Sequence, residues 1–223
     1  MMIQAAIFDL DGLMIESERI HFDAMETLLA RYSKKPVQEW FKDMIGMDNM
    51  ECAEFVIAQT SLPISSVQFN ELVYEIINER SPGIFTPKHG LLSLINDLVA
   101  RDIKLGVASN SRSDYVTTAL ATMKVIDKFE CILTSDDVKN AKPAPDMYLA
   151  AAQCLGVPPQ NCMGVEDSPH GMKAALNAGM SCVVVPNSSL KEADFPGATY
   201  IYSSLEEFRQ SLSQVLNTET ISG

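Results

Sequence analysis

No apolar run in the chain approaches the roughly 18 to 20 residues that span a bilayer, and the N-terminus lacks a basic segment followed by an apolar one. Membrane anchoring and secretion are therefore not expected, and a cytoplasmic setting is. Cations are scarce: 17 Lys and Arg stand against 29 Asp and Glu, a formal net charge of -12. Nucleic-acid binding relies on neutralising phosphates with Lys and Arg, so no such partner is expected. Five cysteines (Cys52, Cys131, Cys154, Cys162 and Cys182) form an odd, scattered set without C-x-x-C spacing. That suggests neither a zinc site nor a disulfide framework, and reduced thiols are the expectation. Internal repeats and low-complexity tracts are absent as well.

What is present fits a soluble globular protein: 223 residues, 47% hydrophobic and 21% charged. That length suits one large α/β domain, or one domain carrying an insertion. Short apolar runs at residues 3–8, 104–108, 131–134, 162–165 and 182–185 recur between helix-like segments, the alternation of βα units in a parallel sheet. Helix starts are marked at Thr86-Pro87, at Ser168-Pro169 and at Ser204 with Glu207, and Gly179 closes the second of these helices. Residues 17–80 break the alternation. Ile20, Ala24, Leu28 and Leu29 make one amphipathic face there, and Leu72, Val73, Ile76 and Ile77 another, so a small helical bundle is expected. The resulting division is a doubly wound α/β core of residues 1–15 and 82–223 with an inserted helical cap of residues 16–81, which could exclude water and select substrates. Met44, Met47 and Met50 read as adaptable packing, and residues 217–223 as a frayed tail.

The first apolar run ends in Asp9-Leu10-Asp11-Gly12. Ligands in parallel sheets bind at the carboxyl ends of strands, so this position is that of a catalytic strand end. Residues i and i+2 of an extended stretch share a side, so Asp9 and Asp11 can face one reacting group while Gly12 lets the backbone turn away. Asp-x-Asp-Gly is also ordinary turn chemistry, and the motif alone leaves both readings open.

Three later sites fall at predicted strand ends. Ser109-Asn110-Ser111 offers hydroxyl, amide and backbone N–H groups suited to phosphate oxygens. Lys142 precedes the stiff Pro143-Ala144-Pro145 turn, and a single ammonium fits a phosphoryl group as a point charge. Glu166-Asp167 places two adjacent acids at the end of a buried strand, more than a helix cap needs.

This ordered set resembles the haloacid dehalogenase superfamily of phosphotransferases over nearly the whole chain. The similarity is to the subfamily with an inserted helical cap that includes β-phosphoglucomutase and many sugar-phosphate phosphatases. The resemblance implies that Asp9 is a nucleophile forming an aspartyl-phosphate and that Asp11 is the general acid and then base. It further implies that Ser109, Asn110 and Gly12 lie with the phosphate and that Lys142 holds the charge between phosphate and Asp9. Magnesium (Mg2+) would be bound by Asp9, the Asp11 backbone carbonyl and Asp167, with Glu166 as a further ligand or a supporting partner. Ser17 and His21 match, by offset from Asp9, cap-side positions of β-phosphoglucomutase, although His21 among Ile20, Phe22 and Met25 also reads as a structural helix histidine.

The implied activity is a magnesium-dependent phosphatase acting on a small phosphorylated metabolite, most naturally a sugar phosphate, as a monomer or weak homo-oligomer. A hexose-phosphate mutase is the alternative. Against it, the mutase has a cap arginine shortly after a glycine, and the comparable stretch here, Gly46-Met47-Asp48-Asn49, has no cation. Lys42 or Arg80 could substitute. A non-catalytic phosphoryl-accepting module is a third reading, opposed by Asp11 and by the cap.

Overall fold

The strands are short apolar runs that pair in parallel into one six-stranded sheet: β1 (Ala5–Phe8), β2 (Lys104–Ala108), β3 (Cys131–Leu133), β4 (Cys162–Glu166), β5 (Ser181–Val184) and β6 (Tyr200–Ile201). The spatial order is β3-β2-β1-β4-β5-β6. The computed structural model describes residues 2–37, 40, 44, 49–80, 83–187 and 190–216. Every residue of β1 and of β4 is buried, which explains why these strands read as unbroken apolar runs: a sheet covered on both faces has no solvent side to encode. The register sets Phe8 beside Val107 on one flank and Val165 on the other. The strand order reverses at β1, and the chain leaves β1 and β4 at the same edge of the sheet, the place where doubly wound sheets bind ligands.

Two compact units result, Met1–Glu16 with Thr86–Gly223 and, separately, Ser17–Phe85. The second unit contains α1 (Ser17–Arg31), α2 (Asn49–Thr60) and α3 (Ser66–Arg80), with α1 and α2 each packed on α3. Its core holds most of the two faces predicted from periodicity: Ala24, Leu28, Leu29, Val73, Ile76 and Ile77 are buried, while Ile20 and Leu72 are half-buried. Arg80 donates to the Thr27 hydroxyl, tying the end of α3 to α1. Met47, Lys42, the stretch 46–48 and the tail 217–223 lie outside the described residues.

The first unit adds α4 (Leu91–Val99), α5 (Ser113–Thr122), α6 (Asp146–Leu155), α7 (Pro169–Asn177), α8 (Leu205–Gln210) and α9 (Leu212–Leu216). Ala5 and Ile7, on one side of β1, join Met147, Tyr148, Ala151 and Leu155 of α6 and Ala174 and Ala175 of α7 in one buried cluster. Full burial of a side chain the size of Ile7 contributes about 1.5–3 kcal/mol, so this face is a main source of stability.

Two expectations are corrected. The helix read as starting at Thr86-Pro87 begins at Leu91, because Pro87 bridges Ile15 and the Lys88 N–H donates to the Met14 carbonyl at 2.8 Å, drawing that segment into an extended pairing. The cysteines are not all thiols either. Cys131 on β3 and Cys154 on α6 pair as a disulfide, their Cα atoms 6.1 Å apart, because α6 packs on β3 and brings together two residues that sequence separates by 23. Cys52, Cys162 and Cys182 remain thiols.

Candidate active site

Asp9 follows directly on β1, and its N–H donates to the Val165 carbonyl at 2.9 Å, so the sheet ladder itself fixes its position. Glu166 ends β4, and Asp167 stands before the Ser168 cap of α7. Adjacent parallel strands thus bring residues more than 150 positions apart to one edge. Oxygens of Asp9, Glu166 and Asp167 all lie within 4.8 Å of one another, and all three residues are buried.

One cation answers this crowd of carboxylates. The Lys142 ammonium donates to Asp9 Oδ1 at 2.6 Å, to Glu166 Oε1 at 2.6 Å and to the Ala108 carbonyl at 2.7 Å, so all three of its protons are used. Its head lies 5.1 Å from the centre of the Tyr148 ring, whose hydroxyl donates to the same Glu166 Oε1 at 2.6 Å. Burial pushes the Tyr148 hydroxyl well above its ordinary value and the Glu166 charge adds to this, so it stays a donor. Burial opposes the Lys142 charge, but Asp9 and Glu166 outweigh that and hold the ammonium above its ordinary value. One ammonium cannot neutralise three carboxylates. Asp9 is accordingly raised to about 8, by burial first, with Lys142 opposing and Glu166 and Asp11 adding. Asp167 is also raised, by burial and then by Asp9 and Glu166.

Glu166 Oε2 is buried with no hydrogen-bond partner. An unpartnered buried carboxylate oxygen beside two further carboxylates is what a hard divalent cation with oxygen ligands satisfies, so the residues present fit magnesium. The backbone has been cleared to make room for this cluster. A Cβ on Gly12 (φ +79°) would stand 2.0 Å from Asp167 Oδ2, and one on Gly171 would stand 2.0 Å from Glu166 Oε2.

Asp11 is kept apart from that cluster. Its Oδ2 accepts from Ser111 Oγ at 2.6 Å and more distantly from Ser109 Oγ at 3.4 Å, and its Oδ1 accepts from the Tyr115 hydroxyl at 3.0 Å. Ser109 is fully buried, its Oγ also accepting from the Ser111 N–H at 3.1 Å. The Asn110 amide brackets the Lys142 peptide, accepting from its N–H at 3.0 Å and donating to its carbonyl at 3.4 Å. Asn110 thereby sets the loop that aims Lys142. The Lys88 ammonium donates to the Gly12 carbonyl at 2.7 Å, fixing the turn after Asp11.

Asp9, Asp11, Gly12, Ser109, Asn110, Lys142, Glu166 and Asp167 are therefore brought together within the first unit. Ser17 and His21 belong to the helical unit, where Ser17 is buried at the start of α1 and the His21 ring meets Tyr74 edge-on at 5.6 Å. Sequence reasoning missed Tyr115, Tyr148, Gly171 and Lys88, and took Ser111 only as one of a loop's small polar residues. Regular spacing marks Tyr148 and Tyr115 as core aromatics, and nothing local reveals the carboxylates that their hydroxyls meet.

A parallel sheet with a buried ammonium and a metal-fitting acidic cluster at its switch point has the make-up of a site for anionic ligands. The chain matches the model of the haloacid dehalogenase-like hydrolase family over residues 6–185. It is 31% identical over 212 residues to YhcW of Bacillus subtilis (strain 168), provisionally named a phosphatase, covering 95% of this chain and 96% of that protein. It is also 31% identical over 211 residues to a Drosophila melanogaster protein provisionally named pseudouridine-5'-phosphatase, covering 91% of this chain and 90% of that one. Among solved structures, CbbY from Rhodobacter sphaeroides, a variant in complex with xylulose-(1,5)bisphosphate, superimposes with a TM-score of 0.81 at 25% identity, covering 92% of this chain and 96% of that one. The chain belongs to the haloacid dehalogenase-like hydrolase family and is an enzyme of its phosphatase kind.

Proposed function

We propose that the chain is a magnesium-dependent phosphatase that releases phosphate from a small phosphorylated metabolite of the sugar-phosphate class through an aspartyl-phosphate on Asp9. The observation that carries this reading is the shared Lys142 ammonium, 2.6 Å from both Asp9 and Glu166, beside three carboxylates whose oxygens lie within 4.8 Å of one another. An anionic carboxylate attacking an anionic phosphoryl group meets repulsion, and fixed cations remove it. Asp9, the Asp11 carbonyl and Asp167 would hold magnesium, with Glu166 as a further ligand or a supporting partner, and the ion would supply the larger part of that positive charge.

In the first step an Asp9 oxygen bonds to phosphorus as the bond to the leaving oxygen breaks, and Asp11 gives that oxygen its proton. In the second, Asp11 takes a proton from water, the water oxygen bonds to phosphorus, and Asp9 is released. Ser109, Asn110 and the Gly12 turn serve the phosphate, and Lys142 holds the charge between phosphate and Asp9. Substrate selection is assigned to the helical unit, with Ser17 and His21 as its candidate residues.

Two lines support this substrate class and this outcome. Relatives include a protein named for pseudouridine-5'-phosphate and a CbbY bound to a xylulose bisphosphate. The stretch comparable to the one that carries the mutase's cap arginine, Gly46-Met47-Asp48-Asn49, holds no cation, and the Asn49 amide donates to the Tyr74 hydroxyl at 2.9 Å. Transfer to water is the favoured reaction.

A panel of phosphorylated metabolites assayed for phosphate release with and without magnesium tests the reading. It should include β-glucose 1-phosphate with a bisphosphate primer. Release that requires magnesium and disappears in a folded Asp9→Asn variant is expected. Interconversion of phosphate positions without release would make the chain a mutase, and full activity of Asp9→Asn would remove the assigned nucleophile.

A further inference from the structure

The Tyr115 side chain is fully buried, yet it carries a hydroxyl that a phenylalanine in the same space would not need. A buried phenol must find a hydrogen-bond partner, and this hydroxyl donates to the Asp11 carboxylate, 104 positions away, at 3.0 Å. The other Asp11 oxygen is taken by Ser111 at 2.6 Å. Both donors come from one short stretch, the loop after β2 and the first turn of α5. Each Asp11 oxygen therefore has its own donor, and the carboxylate is held toward that stretch and outside the Asp9, Glu166 and Asp167 group.

We propose that Tyr115, together with Ser111, is a positioning residue for proton transfer, holding Asp11 in one orientation and keeping it from joining the metal carboxylates. The proposal rests on the acid and base role given to Asp11 above. Two chemically different donors hold it. The Ser111 hydroxyl, at 2.6 Å, fixes Oδ2. The Tyr115 hydroxyl sits on a ring fixed by its packing, so it keeps Oδ1 in place throughout. A fourth carboxylate drawn into the metal group would leave no acid for the leaving oxygen, so separation of the two carboxylate sets is itself part of the chemistry.

The test is a cycle of Tyr115→Phe, Asp11→Asn and the double variant, assayed on p-nitrophenyl phosphate with magnesium, with Ser111→Ala run in the same way. A hydrogen bond to a charged group is worth enough to expect about a tenfold loss of kcat in Tyr115→Phe. KM, the magnesium concentration for half activity and Tm should stay within about twofold or a few degrees of the wild type. In the Asp11→Asn background the same substitution should change kcat by less than about twofold, because the group it acts through is already gone. A wild-type kcat in Tyr115→Phe, or an undiminished loss in the Asp11→Asn background, overturns the proposal while leaving the phosphatase reading standing. Wild-type kcat in Asp11→Asn alone overturns the proposal together with the acid and base role given to Asp11, and leaves phosphatase activity itself standing.

Discussion

At Gly171 the missing side chain is what allows Glu166 to remain buried beside Lys142. A methyl group there would stand 2.0 Å from the Glu166 carboxylate, well inside contact distance, so either the carboxylate or the first turn of α7 must move. Moving the carboxylate breaks its bonds to Lys142 and Tyr148, both 2.6 Å. Overpacking of this kind costs about 1–3 kcal/mol, and misplacing a charged site group by about 1 Å costs about a hundredfold in rate. Gly171→Ala is therefore expected to fold, to lose about 1–3 kcal/mol in urea denaturation and to lose most of its magnesium-dependent turnover. Unchanged turnover would mean that Glu166 does not need its present place. The acids were legible because each sits at or just after a strand end with no structural reason for its charge, whereas Lys142, read as following a strand, lies in the loop between Asp137 and α6 and was legible from its stiff Pro-Ala-Pro turn. Gly171 and Tyr115 were not, since their constraints come from side chains that only the folded sheet brings near.

Among the elements, the parallel strands were legible almost to the residue because full burial leaves a dense apolar signature, as in Cys162–Glu166. The two-residue β6 carries too little sequence to signal anything, and it forms because Val183 and Val184 offer it an edge. Local capping rules succeeded where the cap is self-contained. Ser168 Oγ accepts from the Gly171 N–H at 3.1 Å, with Pro169 at the first helical position, as the Ser-Pro pair predicts. Ser204 likewise caps α8 through the Glu207 N–H at 3.1 Å. They failed at Thr86-Pro87, where pairing with Met14 and Ile15 overrode a good local start signal. The Ser168 cap bears on the site because it holds the turn directly after Asp167. Ser168→Ala should cost about 1 kcal/mol of stability by urea denaturation. It should also weaken magnesium dependence more than a surface substitution of equal cost, and an effect on stability alone would show that α7 positions Asp167 without its cap.

Across the whole molecule the net charge of -12 and the buried acidic group act in the same direction. Both disfavour the metal-free protein as pH rises, and both favour a bound divalent cation. Asp9 has an ordinary value of 3.8 in the unfolded chain and about 8 in the folded one, and Asp167 is shifted the same way, burial being the first cause of each. A group raised on folding takes up a proton as the chain folds. Its stabilising contribution is therefore complete below the unfolded value and is lost as pH rises through the folded value. Between about pH 4 and 8 the metal-free protein should accordingly lose stability, across the window where most proteins hold theirs. On the proposed reading magnesium would take the place of that proton, so it would compete poorly at pH 5.5 and well at pH 8. A ligand at about a hundred times its Kd adds about 2.7 kcal/mol, and each kcal/mol moves Tm by about 2–4 °C for a chain of this length. Thermal unfolding with and without excess magnesium should thus give a rise of about 5–10 °C at pH 8 and a much smaller one at pH 5.5. A shift of equal size at both pH values would mean that the ion binds away from Asp9 and Asp167, and no shift at pH 8 would mean that the three carboxylates do not hold it.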